Sequence, residues 1–245
     1  MNDPVSLLLL SLLGSIAALC GAIAFLYIPK FSKALATYSV AFAAGVLITV
    51  SLAGLLPEAE HSAGESAFLI VLLAFLAAFL FERLAFCIHH HNDEHQEESS
   101  PFLIVFGDTL HNFVDGIAIA AAYFVSPGLG LITAFSTFLH EVPHEIGDFG
   151  VLLKIGWTKR KIVLINIVSS LATLLGAFLV FFVKPSQSLI GYLLAVAAGI
   201  FLYLGASDFL PHVKREAKDD RKFILVLLAG VTIMLLTFYA IPHNH

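Results

Sequence analysis

Two apolar segments of this 245-residue chain carry acids, imidazoles and an amide at helical spacing. The first segment holds Asp108, His111, Asn112 and Asp115. The second holds His140, Glu141, His144, Glu145 and Asp148. In each segment the spacing places these side chains on one face of a helix. Imidazole and carboxylate groups together suit zinc, iron, manganese or cobalt better than calcium or magnesium, so the two faces predict a transition-metal site.

The surrounding chain has the composition of a membrane protein. Hydrophobic residues make up 59% of it and charged residues 13%, whereas soluble domains have about 45–50% and about 25%. Apolar segments of about 20 residues are long enough to cross a bilayer as helices. We therefore predict an all-α membrane protein with one polytopic membrane domain over residues 1–245. Its eight transmembrane helices are predicted at residues 5–28, 34–56, 66–88, 101–124, 129–153, 162–183, 188–210 and 223–241.

The basic residues predict how these helices are oriented. The odd-numbered loops hold 12 of the 13 lysines and arginines, and the even-numbered loops hold only Lys184. By the positive-inside rule the odd loops are cytoplasmic and both termini are extracytoplasmic. The third loop, residues 89–100, is rich in histidine and acids, so it is either a solvated cytoplasmic linker or a weak metal-collecting loop. Glu82, just before this loop, is interpreted as a surface residue.

The acids of the fourth and fifth helices have no local cationic partner. No lysine or arginine lies between Arg83 and Lys154, although a charge at the bilayer centre costs about 2.5–3.5 kcal/mol. Either a bound cation or protonation must therefore balance these acids. Three histidines in the same two helices favour a bound metal.

The depth of the polar residues places this site near the middle of the membrane. At about 1.5 Å per residue, His111 and His140 lie about 15 Å into the bilayer. Transporters bind their substrates at this depth, so we predict the metal site between the fourth and fifth helices. Asp108, Glu145 and Asp148 lie nearer the cytoplasm, as an exit path or as hydrogen-bonding partners of the ligands.

Residues 111–116 and 140–148 read HNFVDG and HEVPHEIGD. They resemble the paired signatures of the ZIP (Zrt-, Irt-like) metal-ion transporters, and are closest to the subgroup whose fifth helix reads HExPHExGD. Eight predicted spans, external termini and a His-rich third loop extend the resemblance over the whole chain. The resemblance implies that zinc is the transported substrate, with iron, manganese, cobalt or cadmium as alternatives. It also implies movement into the cytoplasm, motion of one helix bundle against another, and frequent homodimers.

The resemblance further implies a metal site that can hold two ions. The primary site would be formed by His111, Asp115, His140 and His144. Asn112, Asp115 and Glu141 would contribute to the second site, with Asp115 or His144 shared.

Three other segments bear on this implied pathway. Some family members add a carboxylate from the sixth span, where this chain offers only Asn166, Ser169 and Ser170. Residues 208–212 read DFLPH where members often have DxxPE, so His212 replaces the glutamate. We predict that metal enters past Glu58, which follows Leu56 and Pro57. We predict that it leaves past Asp108, Glu145, Asp148, Asp208 and His212.

Residues 140–144 also match HExxH, the zinc-protease signature, so an intramembrane zinc metalloprotease is the alternative. In such proteases the motif bearing the aspartate ligand follows HExxH, whereas here Asp115 precedes it. A metal sensor would need a soluble output domain, and a proton-coupled carrier would use the acids as relays. We therefore predict a transporter rather than an enzyme. We expect it as a multi-pass protein of the plasma (cell inner) membrane, with the lipid bilayer but no nucleic acid as a partner.

Overall fold

The computed structural model describes residues 3–27, 29–89, 101–211 and 220–243, without the side chains of residues 25, 29–37 and 85–89. Every regular element in these ranges is helical. The predicted His-rich loop at residues 90–100 and the predicted pathway residue His212 lie outside the described residues. The prediction of an all-α protein is confirmed.

The eight predicted spans correspond to helices, three of which contain a π-helical turn. In the first span, α1 and α2 flank the π-turn Leu13–Ala17, and in the second, α3 and α4 flank the π-turn Ser51–Leu55. In the seventh, α9 continues into the π-turn Leu204–Phe209. The α-helices are α1 (Pro4–Leu12), α2 (Ala18–Tyr27), α3 (Pro29–Val50), α4 (Leu56–Ala63), α5 (Ser66–His89), α6 (Pro101–Val125), α7 (Pro127–Lys154), α8 (Lys159–Val183), α9 (Gln187–Tyr203) and α10 (Asp220–Ala240).

Seven of the spans among the described residues are long and apolar enough to cross a membrane. The exception is α7, which has 28 residues and therefore a length of about 42 Å. It is long enough to span, but its polar stripe, including Glu141, Glu145 and Asp148, lowers its hydropathy. Helix α6, which carries the other half of the predicted metal site, has the lowest mean hydropathy of the seven, 1.4.

Helices α6 and α7 form a tight hairpin. Only Ser126 separates Val125 from Pro127, and its Oγ accepts a hydrogen bond from the backbone N–H of Leu129 at 3.1 Å. The N-cap serine and the proline at the start of α7 are both typical of a helix N-terminus. This short connection makes α6 and α7 antiparallel neighbours, so their polar faces can meet.

Helix α6 is also in close contact with α8. A Cβ placed on Gly116 would lie 2.0 Å from the carbonyl oxygen of Thr173, and one on Gly176 would lie 2.2 Å from that of Phe113. Only glycine permits two helix backbones to approach this closely. The two glycines therefore fix the register of α6 against α8.

The remaining helices pack around these three in two groups. Helices α1 and α2 contact the α6–α7–α8 unit, while α10 packs on α3, and α4 and α5 pack on α9. The two groups meet where α3 contacts α7 and where α9 contacts α6. Large apolar side chains of α5 and α10 such as Phe68, Leu72 and Leu225 are exposed, as expected for helices that face lipid.

Candidate metal site

Four side chains from α6 and α7 form one buried cluster, which we call the upper group: His111, Asp115, His140 and Glu141. One ligand atom from each lies within 4.8 Å of the others. The Nε2 atoms of His111 and His140 are 3.3 Å apart. Asp115 Oδ2 is 3.3 Å from His140 Nε2, and Glu141 Oε2 is 3.4 Å from His111 Nε2.

The tautomer of His140 follows from its backbone contact. Its Nδ1 lies 2.9 Å from the carbonyl oxygen of Ser136, and since a carbonyl can only accept, Nδ1 carries the proton. In the neutral imidazole, Nε2 then presents a lone pair to the centre of the upper group. Both carboxylate oxygens of Asp115 are buried and accept no hydrogen bond from any described residue. Several lone pairs thus face one another, which suits a bound cation.

A second cluster, which we call the lower group, lies one helical turn away along α6 and α7 and consists of Asp108, His144 and Asp148. The Nδ1 atom of His144 is 3.8 Å from Asp108 Oδ1. Asp108 is buried, whereas the side chain of His144 is 18% exposed. Glu141 and Glu145 also come within 4.8 Å of Asp108, so Glu141 links the two groups.

The predicted ligands are therefore brought together in a different partition from the one implied by the family resemblance. Glu141, assigned by resemblance to the second site, lies with His111 and His140. His144, assigned to the primary site, lies beside Asp108, and its ring centroid is 4.8 Å from that of His111.

Asn112 lies beside Asp108 on α6, and its amide is hydrogen-bonded at both ends. Its Nδ2 donates to the backbone carbonyl of Asp108 at 3.1 Å and to Asp108 Oδ1 at 3.0 Å. Its Oδ1, the atom that could bind a metal, accepts a hydrogen bond from Thr173 at 3.0 Å. Asn112 is thus placed to orient Asp108.

Helix α8 contributes hydroxyl groups to this network. Ser169 donates a short hydrogen bond to Asp108 Oδ2, while Thr173 holds Asn112. The sequence interpretation noted Ser169 only as a poor substitute for a carboxylate, and it missed Thr173. The spacing of Asn166, Ser169, Ser170 and Thr173 was the available signal, because it forms one polar stripe on an otherwise apolar helix.

Two other predicted pathway residues, Glu58 and Asp208, lie on other spans. Glu58 is half-buried in the first turn of α4. Asp208 is half-buried in the π-turn after α9 and lies near Asp148 of the lower group. From the same span, Phe201 and Phe209 place their rings 5.5 Å from His140 and 6.2 Å from His144 respectively, measured between centroids. Sequence analysis gave no role to either phenylalanine.

Glu82 is a correction to the sequence interpretation. It was interpreted as a surface residue, but its carboxylate accepts a short hydrogen bond from the hydroxyl of Tyr203. Tyr203 also packs edge-on against Phe75. A carboxylate on an apolar helix needs a donor, and Tyr203 supplies one.

Residues 100–237, more than half of the chain, match the family described as ZIP Zinc transporter. The chain belongs to the ZIP family. The resemblance read from the two motifs is thereby confirmed. Membership also confirms that the chain is a transporter-family protein rather than an enzyme, and it does not support the intramembrane metalloprotease that HExxH would suggest.

Several zinc transporters are similar to this ZIP-family chain. Zinc transporter ZIP4 of Homo sapiens is 40% identical over 134 residues, which are 55% of this chain and 21% of ZIP4. Zinc transporter foi of Drosophila melanogaster is 38% identical over 138 residues, 55% of this chain and 20% of the relative. Zinc transporter zipt-7.2 of Caenorhabditis elegans is 32% identical over 151 residues, 59% of this chain and 33% of the relative. The chain thus covers between a fifth and a third of the length of these relatives.

Proposed function

We propose that this protein transports a divalent transition metal across the membrane, with zinc as the substrate, through the upper and lower groups. One observation carries the proposal. The Nε2 atoms of His111 and His140 lie 3.3 Å apart in a buried cluster that also contains the carboxylates of Asp115 and Glu141. Two imidazoles and two carboxylates form a set of four ligands that suits tetrahedral zinc.

The charge balance of the two helices supports this proposal. Within α6 and α7 the only lysine or arginine is Lys154, at the last position of α7. Five carboxylates therefore lie on these helices without a cationic side chain at their own depth. Divalent ions passing along the helices supply the missing positive charge, which makes the acids part of a conduction path.

We propose two stations for the ion along this path. The first station is the upper group, and the second is the lower group, with Glu141 able to reach towards both. Asn112 and the α8 hydroxyls orient Asp108 at the second station. Iron, manganese, cobalt and cadmium are competing substrates, because the same ligands bind them and affinity alone does not select among them.

The direction of movement and the topology are part of the same proposal. The basic residues of the odd loops support a topology with both termini outside, and the family resemblance supports metal flow into the cytoplasm. Metal would pass Glu58 on the outer side and leave past Asp108, Glu145, Asp148, Asp208 and His212. We propose one polytopic domain in the plasma (cell inner) membrane, assembling as a homodimer, with residues 89–100 as a cytoplasmic loop.

Zinc uptake into proteoliposomes tests the proposed function. The purified protein is reconstituted around a zinc-sensitive dye and compared with Asp115→Asn, which keeps the shape of the side chain and removes its charge. We expect saturable zinc influx in the wild type and loss of at least about 90% of the initial rate in the variant, because the upper group loses an anionic ligand. Glu65→Gln, an exposed acid between α4 and α5, is the matched control. Normal influx through well-folded Asp115→Asn protein would refute the site, and no influx through the wild type would refute the function.

A further inference from the structure

We infer that the start of α8 binds an anionic phospholipid. A shallow cleft of about 360 Å³ runs along the first three turns of this helix. It is lined by Thr158, Arg160, Lys161, Leu164, Ile165 and Val168. This cleft is separate from the metal groups.

The order of the lining residues along α8 matches that of the headgroup and acyl chain of a phospholipid. Offsets of three, four and seven from Lys161 place Leu164, Ile165 and Val168 on one helical face. Val168 lies about 10 Å farther along the axis than Lys161. Leu164 is 55% exposed and Val168 is 63% exposed. Cations thus lie at the loop end of the cleft, and an apolar strip of acyl-chain dimensions continues into the span.

The positive charge at the loop end has no acidic residue beside it in sequence, and only part of it is engaged in contacts within the protein. Residues 154–161 contain four cations and no acid. Lys159 is already engaged, since its Nζ donates to the carbonyl of Leu26 at 2.6 Å. Lys161 lies 3.5 Å from the centre of the Trp157 ring. Among the described residues Arg160 has no hydrogen bond or ion pair, and its guanidinium can bind a phosphate through two parallel hydrogen bonds.

The apolar half of the cleft selects a lipid as the occupant. Leu164 and Val168 belong to the apolar span Lys159–Val183, a depth that a soluble anion or an acidic peptide does not reach. A phospholipid satisfies both ends, because its phosphate meets Arg160 and Lys161 while an acyl chain lies along the strip. A cation held directly against an anionic headgroup contributes about a fivefold preference for it.

The single tryptophan of the chain reports on this cleft directly. Trp157 is the only tryptophan and lies against Lys161, so bromine atoms on a bound acyl chain would quench its fluorescence. The full-length protein is reconstituted in bilayers containing increasing mole fractions of dibrominated phosphatidylglycerol or dibrominated phosphatidylcholine. We expect the anionic phosphatidylglycerol to reach half-maximal quenching at a mole fraction at least about fivefold lower than that needed for phosphatidylcholine.

Two charge-removing variants separate a built site from general attraction to a basic surface. Arg160→Gln removes a cation of the cleft and leaves Trp157 unchanged. We expect this variant to lose most of the preference for phosphatidylglycerol over phosphatidylcholine. Lys154→Gln removes an exposed cation from the same loop outside the cleft, and we expect the preference to stay within about twofold. Equal quenching by the two lipids in the wild type would overturn the inference. An equal loss of preference in the two variants would also overturn it, because it would show diffuse surface attraction only.

Discussion

His140 presents its bare Nε2 to His111 at 3.3 Å because its Nδ1 is held by the carbonyl of Ser136. Two imidazole nitrogens at this distance are either joined by a proton or shared by a metal ion, and Asp115 Oδ2 lies equally close to His140. The backbone of α7 therefore decides which nitrogen of His140 is free to bind.

The first prediction concerns this histidine. His140→Gln keeps a polar side chain of similar length but removes the imidazole lone pair. We expect the zinc affinity of the purified protein, measured by competition with a fluorescent chelator, to fall by at least about 100-fold. This loss exceeds the roughly 10–100-fold loss of metal affinity that is typical when a residue hydrogen-bonded to a ligand is mutated. His61→Gln, which changes an exposed histidine of α4, serves as the control and leaves the affinity unchanged; an equal loss in both variants would contradict the assignment.

The second prediction separates the observed partition of ligands from the one implied by the family resemblance. With one equivalent of zinc, X-ray absorption spectroscopy should show two imidazole ligands, from His111 and His140. We expect His144→Gln to leave that number at two, because His144 lies in the lower group. We expect Glu141→Gln to remove an oxygen ligand. A fall in the imidazole signal on His144→Gln would restore His144 to the primary site.

The third prediction tests the hydroxyl of Ser169. Ser169→Ala removes the hydrogen bond to Asp108 and leaves a buried carboxylate with one donor fewer. We expect zinc influx to slow by about 10-fold with little change in thermal stability, and Ser169→Thr to recover much of the rate. Ser170→Ala is the matched control, because Ser170 bonds only to carbonyls of its own helix. Unchanged influx in Ser169→Ala would exclude a role for α8 in positioning Asp108.

The fourth prediction concerns the contact between α6 and α8. Gly116→Ala would place a Cβ 2.0 Å from the carbonyl oxygen of Thr173, so the helices must separate. We expect a loss of about 1–3 kcal/mol or more in the free energy of unfolding, measured by thermal unfolding in detergent. Gly107→Ala on the same helix meets nothing within 4 Å, and we expect it to be neutral or slightly stabilising. Equal melting temperatures for the two variants would show that the backbones are not in contact.

The fifth prediction concerns the histidine- and acid-rich loop. We expect deletion of residues 89–98 to change the rate or regulation of zinc influx without abolishing it, because both metal groups are formed by α6 and α7. Complete loss of influx in protein that elutes as a single species and melts normally would make the loop part of the conduction path.

Composition and helical periodicity were sufficient to predict the spans and the two polar faces. Long apolar segments have few alternatives in a bilayer, and the predicted fifth span at residues 129–153 agrees with α7 to within a few residues. The π-turns were not predicted. The turn at Leu204–Phe209, which holds Asp208, contains Gly205, but a single glycine in an apolar helix does not by itself predict a π-turn.

The division of ligands between two groups could not be read from spacing. Glu141 and His144 both lie within one turn of His140, so either could share its face. Their actual positions depend on how α7 is rotated against α6, and the spacing of residues within α7 does not define that rotation. Likewise, the donor for Glu82 lies on a helix that is distant in sequence, so its pairing with Tyr203 required the tertiary structure.

The one-residue connection at Ser126 has a consequence for biogenesis. Because α6 and α7 are contiguous, their acids and histidines can enter the bilayer together as a helical hairpin, each polar face shielded by the other. Neither helix then has to expose its carboxylates to hydrocarbon, where each would cost about 2.5–3.5 kcal/mol. Lengthening this turn would let the two helices partition separately, and we expect the penalty to appear as failed membrane integration before any defect in metal handling.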